Sequence, residues 1–359
     1  MGSVNIKDFI GNKDLPLVEA MRLIDKNTAG LLYAVDQDNR LVGCLSDGDV
    51  RRWVIKHGSI EGTVGAAMNH KPQFIHRDEL SSAHDIMHRD KIYSLAVVND
   101  SNQIIDIVFD EAILQTMTIS GSGSIEGTPV VIMAGGKGTR LYPYTKILPK
   151  PLIPIGEIPI VERILNRFCR YGVKEYWLSV NYKKEMIKSY FQELSPAYAI
   201  HYVEEDRPLG TAGSLRLLEH AFDRPLIVAN CDSLIDANYC DMLDFHISHK
   251  NDLTVVSSLK NISIPYGVLH SEEEGLITAM EEKPQLSCFI NTGMYILNPE
   301  HVGRIPKDQM FHMTQLADLL IREGKRVGMY PVSENSFLDM GEFEEMKKME
   351  ERINMTQMW

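Results

Sequence analysis

The chain has no apolar run approaching the ~20 residues that a membrane-spanning helix needs, which excludes a transmembrane protein. Its first residues, Met1-Gly2-Ser3-Val4, carry neither the charged nor the apolar region of a secretory signal, so a cytoplasmic location is expected. Cysteine is scarce: Cys44, Cys169, Cys231, Cys240 and Cys288 are odd in number and form no C-x-x-C pair. That excludes a disulfide scaffold and predicts free thiols in a reducing compartment. Positive charge is also short, 37 Lys+Arg against 49 Asp+Glu for a net charge of −12, and no basic block stands out. Nucleic acid is therefore not the expected partner. The 12 histidines are scattered without ligand spacing. Surface or capping roles are expected for His70, His76, His84, His88 and His246.

What is present is an ordinary apolar content of 44% over 359 residues, enough for two domains with packed cores. Residues 1–117 hold an internal repeat. Leu17, Ala20, Leu23, Val35 and Leu41 align with Leu80, Ala83, Ile86, Val98 and Ile104 at one constant offset. Each copy reads as an amphipathic helix, a short strand (Leu31 to Val35; Ser94 to Val98), a polar turn, a second strand and another helix. Such repetition implies two small units packed together. The first copy ends in Val42-Gly43-Cys44-Leu45-Ser46-Asp47-Gly48-Asp49, which resembles the CBS module pattern G-x-x-[ST]-x-x-D. The resemblance implies that Ser46 and Asp49 could hold the phosphate and ribose of a regulatory adenine nucleotide. Capping of the following helix is the competing role for the same pair. The second copy has Phe109 and Ala112 at those positions, so a ligand is not expected there. CBS modules often pair across subunits, which implies a homo-oligomer. Residues 118–128, with Ser120-Gly121-Ser122-Gly123-Ser124, read as a flexible spacer.

From residue 129 to 359, strand-like and helix-like patches alternate. This predicts a second α/β domain, a doubly wound and mostly parallel sheet, preceded by the small α+β pair. Strands are expected at Val130 to Met133, Glu175 to Val180, Ala199 to Val203, Leu226 to Ala229 and Leu253 to Leu259. Helices are expected at Val161 to Tyr171, Lys184 to Glu193, Ser214 to Phe222, Asp241 to Lys250 and Glu342 to Trp359. After the first strand comes Ala134-Gly135-Gly136-Lys137-Gly138-Thr139-Arg140. Its glycines permit positive φ and let backbone N–H groups approach an anion, with a following helix start as reinforcement. The spacing fits neither a Walker loop nor G-x-G-x-x-G.

The loop, followed by Pro149-Lys150-Pro151, resembles the signature of the sugar-1-phosphate nucleotidyltransferases, and the likeness extends over about residues 128–350. It implies a Rossmann-like nucleotidyltransferase fold that joins a nucleoside triphosphate to a sugar 1-phosphate, with Mg²⁺. By the same resemblance, Ala134, Gly135, Gly136, Gly138 and Thr139 grip the triphosphate, and Arg140 and Lys150 are catalytic. In Glu205 to Gly213, the family's P-L-G-T-A-G segment, Glu205, Gly210 and Thr211 face the base. Asp232 and Asp339 are the implied metal ligands. Tyr266, Gly267, Glu282, Lys283 and Asn291 are the implied sugar-phosphate site. Guanine offers two adjacent donors, N1–H and the 2-amino group, which suit a carboxylate, whereas uracil or thymine suits an amide. Glu205, or its neighbour Glu204, therefore points to GTP. A CBS pair on a guanylyl-type domain most resembles the glucosamine-1-phosphate guanylyltransferases of legionaminic acid synthesis. Mannose, heptose or glucose 1-phosphate, and uridylyl or thymidylyl transfer, are the alternatives. A non-catalytic nucleotide sensor is the distant one. The chain stops before any hexapeptide-repeat β-helix, so no acetyltransferase activity is expected.

Overall fold

The computed structural model describes residues 6–27, 29–110 and 123–356. Contacts divide the chain into two units that do not follow chain order. One comprises Met1–Gln115, Ser258–Ile290 and Pro331–Asn335, the other Thr116–Ser257, Asn291–Tyr330 and Ser336–Trp359. The sequence suggested one boundary near residues 118–128; the contacts assign two later segments to the first unit as well.

The first unit opens with β1 (Ile10–Asn12), α1 (Leu17–Asn27), β2 (Leu31–Val35), β3 (Leu41–Ser46), α2 (Asp47–His57) and α3 (Val64–Ala67). It continues with β4 (Phe74–His76), α4 (Ala83–Asp90), β5 (Ser94–Val98) and β6 (Ile104–Phe109). Leu17, Ala20, Met21 and Ile24 recur at helical spacing and form the buried face of α1. The sheets β1-β2-β3 and β4-β5-β6 each pair first parallel, then antiparallel. The register slips between Ala34 and Val35 in one sheet and between Val97 and Val98 in the other, at equivalent places of the repeat. The duplication thus extends to the hydrogen-bond ladder. The copies meet through Phe9, Leu31, Tyr33, Leu41, Ala96, Val98 and Ile107, with Tyr33 Oη and Ser94 Oγ hydrogen-bonded at 2.9 Å. The expected final helix of the second copy, and spacer residues 118–122, lie outside the described residues. The end of the expected spacer is not free. Ile125 is 2% exposed and its N–H donates to Tyr171 O at 2.9 Å.

The remaining strands are β7 (Val130–Met133), β8 (Pro154–Ile155), β9 (Ile158–Pro159), β10 (Glu175–Val180), β11 (Ala199–Glu204), β12 (Leu226–Asn230) and β13 (Ser233–Ile235). They continue with β14 (Leu253–Ser263), β15 (Gly267–Ser271), β16 (Ile277–Glu282), β17 (Gln285–Leu297), β18 (Val327–Val332) and β19 (Phe337–Asp339). A seven-stranded sheet runs β11-β10-β7-β12-β17-β14-β18. β11, β10, β7 and β12 are parallel, and β17 is antiparallel to β12. β7 is buried throughout, as expected of a short apolar strand inside a sheet covered on both faces. Val131, Met133, Leu226, Val228, Tyr295, Leu297, Leu316 and Leu320 build the core on one side. Helices Ile160–Cys169, Lys184–Leu194, Tyr239–Ser248 and Phe343–Thr356 fall within two residues of expectation at their starts. The helix expected at Ser214 to Phe222 is different: a turn at Gly210–Gly213 runs into the 3-10 segment Ser214–Leu218. Two glycines in that start reduce the return from extending a regular helix.

Candidate active site

Strand β7 delivers the chain to the glycine loop at the carboxyl end of the parallel strands. Ala134 is buried and its N–H donates to Ser179 O at 2.8 Å, so that donor is used within the sheet rather than offered to a ligand. Of the three glycines only Gly138 has positive φ, at 63°. No long helix follows it. The loop enters the 3-10 turn Thr139–Leu141 and then the short helix Tyr144–Ile147. An anion at this loop would meet exposed amides and side chains more than a helix dipole. A methyl group added at Gly138 would lie 2.9 Å from Thr145 Cγ2 and 3.0 Å from Lys150 Cβ. The loop and the Pro149-Lys150-Pro151 segment are in direct contact.

A cavity of about 380 Å³ opens beside the loop, lined by Gly135, Gly136, Gly138, Thr139, Arg140, Lys150, Glu205, Gly210, Thr211 and Asp232. All ten were singled out from sequence. Ala134 is not on its wall. Lys150 starts a 3-10 turn after Pro149, is 8% exposed, and donates from Nζ to Asp232 Oδ2.

The two adjacent glutamates separate cleanly. Glu204 faces outward, and hydrogen bonds from Lys184 and Lys188 pull its carboxyl down to about 2. Glu205 is 5% exposed and lines the cavity. Its Oε1 accepts from Ser179 Oγ, and its Oε2 accepts from the Leu209 N–H at 2.9 Å. A carboxylate has about four lone-pair sites, so two such bonds leave capacity for a ligand. Gly210 has φ 80°, and a side chain there would meet Phe311 O at 2.6 Å.

Sequence reasoning missed His312. It lines the cavity, and its Nδ1 accepts from the Thr211 N–H at 3.3 Å. Thr211 Oγ1 in turn accepts from the Met313 N–H at 3.1 Å, at the start of helix Met313–Arg322. Asn230, also on the wall, was not singled out either. The Cys231 thiol beside it is pushed up to about 12, chiefly by burial and then by the charge of Asp232, which makes it a poor nucleophile.

A second cavity of about 300 Å³ shares Arg140, Thr211, Asn230, Asp232 and His312, and adds Asn291 and Asp339. Asn291 Nδ2 donates to Tyr295 Oη at 2.6 Å. β19 pairs with β13, matching Asp339 to Ser233, and the Met340 N–H donates to Asp232 O at 2.9 Å. The carboxyl of Asp339 is held above its ordinary value, first by burial and then by the negative charge of Asp232; Lys150 and Arg140 oppose this. Two converging, half-desolvated carboxylates with incomplete counter-charge suit a hard divalent cation. The residues present therefore fit Mg²⁺.

Tyr266, Gly267, Glu282 and Lys283 belong to the other unit. They cluster at one end of the β15–β16 hairpin, where Gly267 pairs with Glu282 and Lys283 Nζ lies 3.9 Å from Glu282 Oε1. Tyr266 is 73% exposed. In the same unit Ser46 and Asp49 form a capping box at the start of α2. Asp49 Oδ2 accepts from the Ser46 N–H at 2.8 Å and from Ser46 Oγ at 2.6 Å, and the Asp49 N–H donates back to Ser46 Oγ at 3.2 Å.

Residues 12–56 match the family model of the CBS domain. The Dictyostelium discoideum protein "mannose-1-phosphate guanylyltransferase catalytic subunit beta" is 36% identical over 182 residues, 49% of this chain and 51% of that protein. The Candida albicans "mannose-1-phosphate guanyltransferase" is 35% identical over 184 residues, again 49% and 51%. The chain thus spans about half the length of the curated relatives it matches. A crystal structure of HddC from Yersinia pseudotuberculosis is 26% identical and covers 63% of this chain and 99% of that one, with a TM-score of 0.51. Its complex with GMP-PN aligns with a TM-score of 0.50 at the same identity. No helix among the described residues is long and apolar enough to cross a membrane. Residues 129–355 match the family model described as Nucleotidyl transferase, and the chain belongs to that family.

Proposed function

We propose that the protein is a Mg²⁺-dependent sugar-1-phosphate guanylyltransferase, converting GTP and a sugar 1-phosphate into a GDP-sugar and pyrophosphate. The observation that carries the reading is the single cavity in which the glycine loop, Arg140, Lys150, Glu205 and Asp232 converge. An oxygen of the sugar phosphate attacks the α-phosphorus in line. The bond from the α-phosphorus to the oxygen bridging to the β-phosphate breaks, and that oxygen leaves with pyrophosphate. The nucleophile is already an anion, so no general base is required, and catalysis is positioning plus charge neutralisation. Arg140 and the exposed loop amides hold the departing phosphates. Lys150 offsets the repulsion between the α-phosphate and the incoming phosphate. Asp232 and Asp339 would hold Mg²⁺, whose chemistry when bound is to polarise the α-phosphate and neutralise developing charge. Asn291 is assigned to the sugar phosphate; for Tyr266, Gly267, Glu282 and Lys283, in the other unit, the same role rests on the sequence resemblance alone.

Guanine is supported by the carboxylate of Glu205 inside the cavity rather than an amide. It is also supported by relatives named as guanylyltransferases and by a GMP-PN complex of a structural neighbour. For the sugar, the CBS region favours glucosamine 1-phosphate, with the product feeding legionaminic acid synthesis. Mannose 1-phosphate is the second reading, favoured by the names of the relatives. A cytoplasmic homo-oligomer, with Ser46 and Asp49 meeting a regulatory nucleotide, completes the proposal. The test is pyrophosphate release with each common nucleoside triphosphate against glucosamine-, mannose-, heptose- and glucose 1-phosphate in Mg²⁺. Turnover with GTP and an amino sugar is expected. Preference for UTP or dTTP would overturn the guanine assignment, and no turnover with any pair would point to the sensor.

A further inference from the structure

Outside the transferase cavity, α4 places His84 and His88 one helical turn apart with their rings stacked, centroids 4.3 Å apart and planes inclined by 21°. Their Nε2 atoms lie 3.6 and 3.5 Å from the same oxygen, Asp110 Oδ2. The Asp110 side chain is 7% exposed while the two imidazoles are 70% and 52% exposed, so a buried carboxylate faces two solvent-side ring nitrogens. The expectation of isolated surface roles for these histidines overlooked their spacing of four on one helix.

The distances are informative. They are longer than ordinary hydrogen bonds. Around a tetrahedral Zn²⁺ with bonds of about 2.0–2.1 Å, two ligand atoms are separated by roughly 3.3–3.4 Å, close to what is seen here. The other mixed trio among the described residues, Asp252, Glu300 and His301, behaves differently. There His301 Nε2 is 2.6 Å from Asp252 Oδ1, and Asp252 also accepts from the Arg326 N–H at 2.8 Å. That is a satisfied hydrogen-bonded pair.

The repeat supplies an internal control. The positions of His84 and Asp110 correspond to Met21 and Asp47 in the first copy. Asp47 pairs with Arg51 at 2.7 Å, and Met21 lines a small apolar recess with Val50, Val54, Phe289 and Pro331. One copy fills this place with an ion pair and apolar side chains; the other sets two exposed imidazoles beside a buried carboxylate.

We propose that His84, His88 and Asp110 form a divalent transition-metal site, Zn²⁺ by its donor set, with water as fourth ligand. Two imidazoles and one carboxylate favour such an ion over Mg²⁺ or Ca²⁺, which take oxygen ligands. The ion would tie α4 to the end of β6, where Phe109 stands at the position of Ser46 in the first copy.

The experiment uses the full chain, chelator-stripped and free of any purification tag, with millimolar Mg²⁺ present throughout to occupy the carboxylates of the transferase cavity. Co²⁺ and Zn²⁺ are titrated by visible absorption and calorimetry, and thermal unfolding is followed. One equivalent with a tetrahedral Co²⁺ spectrum and a rise in Tm with Zn²⁺ are expected. His84→Ala and His88→Ala each weaken binding by about tenfold or more. The double variant abolishes it, while zinc-free turnover is unchanged. Because both imidazoles are exposed, these variants fold. Retained stoichiometry in the double variant, loss of the equivalent in Asp232→Asn instead, or no binding at all would overturn the proposal.

Discussion

Lys150 donates its ammonium proton to the carboxylate of Asp232, and the two side chains are only 10% and 14% exposed. One carboxylate is thus shared between the lysine assigned to the phosphates and the cation assigned to Asp232 and Asp339. Lysine and Mg²⁺ compete for the same charge before substrate arrives. Lys150→Gln is therefore expected to bind Mg²⁺ more tightly while turnover falls by about 10²–10³-fold. Calorimetric Mg²⁺ titration beside pyrophosphate release measures both. Unchanged or weaker Mg²⁺ binding would show that the ion pair does not hold the carboxylate back.

Asp339 provides a pH signature. Its carboxyl is raised from the ordinary 3.8 by burial and by Asp232, so the folded chain holds that proton more tightly than the unfolded chain does. Stability is then lost as pH rises from the ordinary value through the raised one, and the full cost persists at neutral pH. Asp339→Asn should raise Tm at pH 7 without metal and flatten this slope. It should also remove the Mg²⁺-dependent gain in Tm that is expected of the unsubstituted protein. A lower Tm for the variant in metal-free buffer would contradict this account.

Glu205 differs from a freely offered reader because Ser179 and the Leu209 N–H already hold its two oxygens. Glu205→Gln would place an amide N–H₂ where a donor now points. The expected result is a raised KM for GTP and a narrower gap between GTP and UTP. The loss of one base-discriminating contact corresponds to about 1–3 kcal/mol. Ser179→Ala should loosen the loop with a smaller change in base preference. Kinetics of the two variants with both nucleotides distinguish reading from positioning.

Much of this arrangement was legible because its residues carry local signals. Val130 to Met133 is an apolar run buried on both faces, and the glycine loop and proline-flanked lysine follow at short range. The repeat was legible because burial recurs at one offset. The β15–β16 hairpin was not, since its strands are exposed on nearly every residue and show no alternation. The choice between Glu204 and Glu205 was also hidden. Consecutive residues at a strand end point to opposite sides, and the lysines that claim Glu204 lie on the preceding helix, outside the motif. His312 sits outside every motif. Its one signal was position: it precedes an amphipathic helix, with Gln315 three residues on, and its N–H donates to Gln315 Oε1 at 2.8 Å.

His312 therefore yields a prediction of its own. Removing its ring leaves the Thr211 N–H without its acceptor at the edge of both cavities. His312→Ala should lower kcat/KM about fivefold, mainly through KM for the triphosphate, for one lost hydrogen bond of about 1 kcal/mol. His312→Asn, which can still accept, should recover part of the loss. A pure kcat effect would place His312 in the chemical step instead.

The Ser46–Asp49 capping box makes a stability prediction independent of catalysis. Ser46→Ala removes the acceptor for the Asp49 N–H and should cost about 1 kcal/mol in urea unfolding. Pyrophosphate release without added effector should stay the same. An undiminished midpoint would mean that the pair is not used to fasten α2.

The contact between Gly138 and Lys150 has a consequence for how such proteins diverge. The glycine loop leaves no room for a methyl group at 138 because Thr145 and the Lys150 stem stand against it. A larger residue at 138 can therefore be accommodated only if the lysine segment is rebuilt with it. Residues 134 to 152 are therefore expected to transfer only as one cassette. A chimaera that exchanges the glycine loop alone between two such enzymes is expected to be inactive, whereas one that carries the whole cassette should turn over.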